Sequence, residues 1–297
     1  MQARPIDLND NGIIAIIIYV MRNAIITSSD QNCEQFVLND WMNSLVDNVD
    51  LHNIDVIILD YGLSPDVREA LKRLGAIIYP FPKNGSIPTV RFMAAASIIR
   101  NSDYDQVMTC DGGDLIFQQD ISPLFEQDKD AIRAACEGLS QPFGIYLKRS
   151  VSKEAASRIK KATRGKKMIN SGFIIAPREK FNRFLDETQS LVLRSTWGVE
   201  QPIFNYIFYR DGFVELPCGY NFAIGSSVVP YKIKGGQFYF ADGELIPVVH
   251  NIGRMNWFRP INDFGYGPGK NHKHFLKYFA VRTLFKLFHT FYDVLNI

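Results

Sequence analysis

YDQVMTCDGGDLIFQQDISPLF, residues 104–125, is the stretch on which the reading of the whole chain turns. A short apolar run, Val107 to Cys110, stops at Asp111-Gly112-Gly113-Asp114, and a second run, Leu115 to Phe117, leads on to Asp120 and Ser122-Pro123. Two carboxylates held close at the end of a buried strand repel each other and lose hydration, which costs stability unless a cation sits between them. The paired glycines let the backbone turn sharply and approach whatever the carboxylates hold. The pattern implies a metal-holding corner in an enzyme that handles a phosphorylated ligand. Asp-Gly-Gly-Asp is also good turn chemistry, so the tetrapeptide alone supports either reading and the rest of the chain must decide.

Upstream, strands and helices alternate. The run Ile13 to Val20 is apolar on both faces and reads as a buried strand. Ala24-Ile25-Ile26, which ends at Thr27-Ser28-Ser29-Asp30, continues that strand or pairs beside it. Leu38, Trp41, Met42 and Leu45 recur at helical spacing, and Ile54 to Leu59 form the next buried strand. Ser64-Pro65-Asp66 is a helix start, with a capping residue, a first-turn proline and a first-turn acid. Val67, Ala70, Leu71 and Leu74 make its apolar stripe and Gly75 ends it before the strand Ala76 to Tyr79. Residues 89–100 again read as a helix and feed into the strand before Asp111. Such β-α-β units need right-handed crossovers and imply an α/β, Rossmann-like, doubly wound sheet, whose ligands sit at the carboxyl ends of its strands.

Downstream, residues 127–135 and 150–162 are polar and read as helix-prone, and Arg158 to Lys167 is strongly basic. Ile169-Asn170-Ser171-Gly172 opens a strand, helices follow at about 178–194 and 200–209, and 211–259 reads as short strands and turns. With no repeat or low-complexity linker, one composite domain is expected over 1–265, followed by a distinct tail, 266–297. From Val281 a helical projection gathers Arg282, Lys286, His289 and Asp293 on a narrow face and Leu284, Phe285, Leu287, Phe288, Phe291 and Leu295 opposite. Such an amphipathic C-terminal helix packs on the core or lies on a membrane surface or a partner.

Composition narrows the function classes. The chain has 297 residues, 46% hydrophobic and 22% charged, an ordinary globular balance. A net charge of +2 gives no sign of bulk nucleic-acid binding, so any basic patch is local. Four scattered cysteines without a CxxC spacing point to a reducing compartment and no zinc site. The polar N-terminus lacks a signal-peptide layout and the run 13–20 is too short to span a bilayer, which implies a cytoplasmic protein or one peripheral on the inner face of the membrane.

Taken together, the motifs resemble glycosyltransferases of the GT-A fold, most closely glycosyltransferase family 8, over roughly residues 24–258. In order, the matching elements are Arg91 on a helix, the acidic motif Asp111 to Asp114, Asp120-Ile-Ser-Pro-Leu-Phe and Asn170-Ser171-Gly172. Glu200-Gln201 with Asn205, Leu216-Pro217 with Tyr220-Asn221, and His250 to Gly253 follow. The resemblance implies a metal-dependent hexosyltransferase-like enzyme acting on a nucleotide-diphosphate sugar and a glycan or lipid-linked acceptor, with retention of configuration. It implies Asp111, Asp114 and His250 as ligands to Mn2+ or Mg2+, and Asn170, Glu200 and Gln201 on the reaction side. Asp30, Asn32, Arg91, Gly253 and Arg254 would contact the donor. A divalent metal would neutralise the diphosphate as the glycosidic bond breaks, and a site with an imidazole suits Mn2+.

The sequence departs from the family in four places. The acidic motif is one residue longer, so Asp114 aligns with the second aspartate and Gly112 with the first. Glu200 replaces an aspartate, Cys33 stands where an aromatic would stack on the base, and Asn256 stands where a phosphate-binding lysine is expected, a charge that Arg254 could supply. Glu200 is the one nearby candidate for the base that inversion would require. Two rivals stay open: a sugar-nucleotide-binding protein impaired in catalysis, and a nucleotidyltransferase. The second ordinarily wants a glycine-rich phosphate loop after the first strand, and Thr27 to Cys33 contains no glycine.

Overall fold

The computed structural model describes residues 2–3, 18–19, 21–139, 144–253 and 259–295. Most of the isoleucine run expected as the first buried strand lies outside these residues. Its described part, Ile18–Tyr19, pairs with Gln2–Ala3 in a separate two-stranded ribbon. The first strand of the main sheet is instead β1 (Asn23–Ser29), buried along its whole length.

Chain order then runs through a helical stretch α1 (34–48) with a π-helical turn at Val37–Met42, β2 (Ile54–Asp60), α2 (Pro65–Arg73) and β3 (Ile77–Pro80). It continues with α3 (Ile87–Ile99), β4 (Gln106–Cys110), β5 (Leu115–Phe117), β6 (Arg133–Cys136), α4 (Gly144–Leu147), α5 (Lys153–Thr163), β7 (Ile169–Pro177), α6 (Arg178–Leu191) and α7 (Glu200–Asp211). Last come β8 (Val214–Leu216), β9 (Phe222–Ala223), the hairpin β10 (Tyr231–Lys234) and β11 (Gln237–Phe240), β12 (Val248–His250) and α8 (Phe275–Leu295).

The main sheet has seven strands in the order β8-β6-β7-β4-β1-β2-β3. β1 lies parallel to β2 and β4, whereas β7 runs antiparallel to both β4 and β6. Alternate residues of β1 enter opposite cores: Ala24 and Ile26 join α3, α6 and α7, and Ile25 joins α1 and α2. Aromatic packing fills the first core, where Phe184 meets Phe204 and Phe208 edge to face at 5.1 and 5.2 Å. The α/β doubly wound architecture is thus the one that the alternation predicts. Gly75 closes α2 with φ +91°, while Ser64 holds the capping position of that helix without a side-chain bond to it.

The segment 127–135, expected as helix, is turn followed by strand. Arg133 is completely buried. It donates to the carbonyls of Leu124 and Gln127 at 2.5 Å each and also to Gln106. Three acceptors in an extended frame outweigh the helix propensity of Arg-Ala-Ala.

A second sheet, β9-β12-β5, leaves the first at the Asp111–Asp114 turn. Strand β5 carries the chain straight out of that turn and pairs antiparallel with β12, Leu115 opposite His250. The segment before α8 is tied back to α1, where Asp40 accepts from the Tyr266 amide at 2.8 Å and from Lys270 at 2.9 Å. Helix α8 begins six residues earlier than the sequence projection. Val281 and Phe285 are buried against Leu139, Ala223 and Ile252, and Arg282 donates to the Ser227 carbonyl at 2.6 Å. Its opposite side leaves Phe275, Phe279, Leu287 and Phe291 exposed, so the helix both packs on the core and presents an apolar stripe.

Candidate metal and donor site

Strand pairing brings the acidic turn and the histidine together. Beyond β4, the Asp111 amide donates to the Gly172 carbonyl at 3.0 Å, which fixes Asp111 beside the start of β7. On the other side of the turn the Asn251 amide donates to the Asp114 carbonyl at 2.8 Å, extending the β5–β12 ladder. His250 Nε2 therefore lies 3.1 Å from Asp114 Oδ1 and 3.4 Å from Asp111 Oδ2. One ligand atom from each of the three side chains lies within 4.8 Å of the others.

Two glycines make this corner possible by being small. A Cβ on Gly112 would stand 2.5 Å from Thr27 Oγ1 and 3.0 Å from the Ser28 carbonyl, so no other residue lets the turn lie this close to β1. A Cβ on Gly172 would stand 2.5 Å from His250 Cε1.

The imidazole is oriented from behind. Asn221 donates its amide nitrogen to Asn170 Oδ1 at 3.1 Å, which turns its oxygen toward His250 Nδ1 at 2.9 Å. Nδ1 must then carry the proton, and Nε2 faces the two carboxylates, the arrangement that readies a histidine for a metal. The network continues from Asn170 to the buried Glu137 at 2.6 Å.

Positive charge surrounds the acids. Buried Arg91 on α3 pairs with Asp111, and Arg259 pairs with Asp114 at 2.9 Å. Burial works against the charge on His250, but Asp114 and Asp111 overcome it and push the imidazole up to about 9. Burial likewise opposes ionisation of Asp111, yet the Arg91 charge and His250 hold its carboxyl far below the usual range. These carboxylates favour the protonated imidazole while no cation is present, and a divalent ion would displace that proton; two carboxylate oxygens and an imidazole nitrogen are then a donor set that fits Mn2+ and, with oxygen ligands from a substrate, Mg2+.

The corner forms the floor of a cleft of about 580 Å³ at the carboxyl ends of β1 and β4. Its polar lining includes Asp30, Asn32, Arg91, Glu200 and Gln201, and its apolar wall includes Ile87, Tyr146, Trp197, Leu284 and Phe288. Solved glycosyltransferases share this architecture. The apo structure of the bifunctional glycosyltransferase WbbM matches with a TM-score of 0.53 and 15% identity, over 84% of this chain and 48% of that one. The chain has the GT-A glycosyltransferase fold. The galactosyltransferase LgtC, solved with donor and acceptor sugar analogues, matches with a TM-score of 0.51 and 16% identity, over 90% of this chain and 95% of that one. Apo GlyE of Streptococcus pneumoniae TIGR4 matches with a TM-score of 0.51 and 18% identity, over 93% of this chain and 62% of that one. The chain thus spans about half of WbbM, and these identities speak for the GT-A fold alone. No protein-family model and no curated protein matches the sequence.

Within this GT-A cleft the structure brings most of the expected residues to one place. Asp30, at the end of β1, accepts from the Asn32 amide at 3.0 Å and from Lys83 at 2.6 Å. Burial opposes its charge, and these bonds hold its carboxyl below the ordinary range all the same. Cys33, in the place of a stacking aromatic, lies against Gly113, 3.1 Å from where a Cβ would stand. Gly253 lines the cleft, and its carbonyl accepts from Arg259 Nε at 3.3 Å. Arg254, with Asn256 and Trp257, lies outside the described residues.

On the reaction side, Asn170 bridges Glu137 and the Gly172 amide, and Gln201 accepts from Ser171 Oγ at 3.1 Å. Asn205 clamps the Ile169 backbone through both of its amide atoms at 2.8 Å, a purely structural role. Burial pushes Glu200 up to about 7 against the Thr89 hydrogen bond. Thr89 Oγ1 lies 2.7 Å from Glu200 Oε2 and 2.8 Å from the Thr196 carbonyl. The Thr89 hydroxyl donates to the Glu200 carboxylate and so limits the rise that burial causes.

Three residues in or beside the cleft escape the sequence reading. Arg259 follows the altered His-x-x-Gly motif by six residues and takes the cationic place beside Asp114. Lys83 lies in the loop after β3, where nothing but its charge marks it. Glu137 follows the unrecognised strand β6, and burial pushes its carboxyl up.

Proposed function

We propose that the chain is a divalent-metal-dependent glycosyltransferase of the hexosyltransferase type. It would move a sugar from a nucleotide-diphosphate donor to a glycan or lipid-linked acceptor with retention of configuration. The observation that carries this reading is the convergence of Asp111, Asp114 and His250 on one point of a GT-A cleft. Asp111, Asp114 and His250 would hold the ion, with the imidazole favouring Mn2+. When bound, the ion supplies a Lewis acid that neutralises the diphosphate leaving group. Arg91 and Arg259 lie on either side of the acids and would share that charge once the carboxylates turn to the metal. Asp30 and Asn32 offer hydrogen bonds to the nucleoside, while Asn170 and Gln201 orient the donor sugar. Retention is supported by the family resemblance alone, since Glu200, pushed up to about 7 by burial, titrates in the range that suits a general base.

No described helix is long and apolar enough to cross a membrane. The tail, 266–297, would instead make peripheral contact from the cytoplasmic side through 281–297, supported by exposed Leu287 and Phe291 beside Lys286 on α8. Such a placement suits synthesis of a surface polysaccharide on lipid-linked acceptors.

Calorimetric titration of nucleotide diphosphates and sugar nucleotides, with and without Mn2+, tests the donor site. Metal-dependent binding of one nucleotide diphosphate, lost in Asp114→Ala, is expected. Absence of binding in either condition would leave the acidic turn a turn and sink the proposal.

A further inference from the structure

Apart from the cleft, a second concavity of about 930 Å³ lies between α4, α5 and residues 193–194. Lys148, Arg149, Lys153, Lys160 and Arg194 all line it, and none of its lining residues is acidic. All five are exposed. None of their side chains has a hydrogen bond or ion pair among the described residues, unlike Lys167, which pairs with Glu215 at 3.0 Å.

The backbone that carries these charges is well fixed. The buried Ser150 carbonyl accepts from the Leu193 and Arg194 amides at 2.8 and 3.3 Å, and its hydroxyl lies 2.5 Å from Thr196 Oγ1. Arg149 is held at φ +64°, a left-handed conformation unfavourable for an L-residue. Lys153 is the first residue of α5, which Ser152 caps through the Ala155 amide at 3.1 Å, while the Glu154 carboxylate in the same turn, outside the basin's lining, answers the helix dipole. Like charges drawn from three segments into one hollow repel unless an anion joins them. Arginine forks and ammonium groups in one place are suited to phosphate oxygens.

We infer that this basin is a phosphate-binding site, and that it holds a phosphate group of the acceptor or of the lipid surface from which the acceptor is presented. The acceptor role rests on the sugar-transfer reading above; the binding itself does not. Position supports the link: Tyr146 of α4 lines the cleft while Leu147 lines the basin. Likewise the chain runs from Arg194 in the basin to Trp197 and Glu200 in the cleft. Leu193, 66% exposed at the basin's edge, adds an apolar surface beside the phosphate site.

The test is titration of the full chain with inorganic tripolyphosphate in a chelating buffer, where the metal corner can hold no ion, so its failure is separate from failure of the donor site. Its second arm is co-sedimentation with phosphatidylcholine vesicles with and without phosphatidylglycerol. Wild type should bind, more weakly as salt rises, and the pair Lys153→Glu and Arg194→Glu should weaken binding at least tenfold while leaving Mn2+-dependent nucleotide binding and the circular dichroism spectrum unchanged. Arg259→Ala, in the cleft, should leave tripolyphosphate binding as it is. Vesicle binding that needs phosphatidylglycerol and is competed by tripolyphosphate would assign the phosphate to a lipid headgroup; binding of the soluble probe alone would assign it to the acceptor. Absence of binding to both probes, indifference to the double charge reversal, or loss in Arg259→Ala would overturn the site.

Discussion

Gly172→Ala puts the geometry of the metal corner to a direct test. The new methyl would lie 2.5 Å from His250 Cε1, 2.7 Å from Asn170 Oδ1 and 3.0 Å from Asp111 Oδ2, where ordinary contact begins at 3.4 Å. Relief of the first contact alone requires a displacement of 3.4 − 2.5 = 0.9 Å, and the imidazole is held in place by Asn221 at 2.9 Å. The backbone itself accepts alanine, since Gly172 lies inside a regular strand without positive φ. Overpacking of this kind costs roughly 1–3 kcal/mol of stability, too little by itself to explain a dead site in a folded protein. A shift of about 1 Å in a positioned group can cost on the order of a hundredfold in function. Mn2+-dependent nucleotide binding by calorimetry should therefore fall by about that factor, while thermal denaturation shows a cooperative fold. In a His250→Ala background the same substitution should destabilise the protein much less, because its closest obstacle is gone; this cycle isolates the clash. Binding by Gly172→Ala within threefold of wild type, with the fold intact, would refute the reasoning.

Three further outcomes follow from the same structure. Asn221→Ala removes the acceptor that fixes His250 Nδ1 and should weaken Mn2+ binding about 10–100-fold, read by calorimetry; an unchanged metal affinity would show that the imidazole is oriented by other means. Glu200 titrates at about 7 in the fold against 4.5 as its ordinary value. Its contribution is fully present below pH 4.5 and is lost as pH rises through 7, about 3 kcal/mol in all. Glu200→Gln should flatten that fall in a series of melting curves, and parallel curves would count against it. Phe285→Ala empties a buried aromatic site against Gly225 and should cost about 3 kcal/mol in the docking of α8. Hydrogen exchange should then report faster exchange across α8, and protection equal to wild type would contradict the packing described.

Much of the fold was legible because buried parallel strands leave largely apolar runs: Ile54 to Leu59 and Val107 to Cys110 read as strands. The acidic corner was legible for the opposite reason, because two carboxylates at a strand end contradict burial unless something needs them. What stayed hidden was whatever depends on partners far away in the chain. Arg133-Ala-Ala reads as helix locally, and only its acceptors at Leu124, Gln127 and Gln106 make it a strand. Arg259 carries no local signature either; its meaning arises when β12 brings it beside Asp114, 145 residues away. Asn221 was visible as part of a Tyr-Asn pair, but its orienting role needs the tautomer of a histidine in another strand.

The two sheets part company at the acidic turn, and the ligand atoms come from both sides of that parting. Asp111 closes a strand of the large sheet; His250 closes one of the small sheet. An ion held by both would act as a clasp that shuts a loop from the first half of the chain to its last quarter. Because such an ion binds only when both strand ends are in place, its binding free energy is added to the folded state by mass action. Added Mn2+ should then merge the melting of the two sheets into a single transition, and a chelator should let the smaller sheet open first.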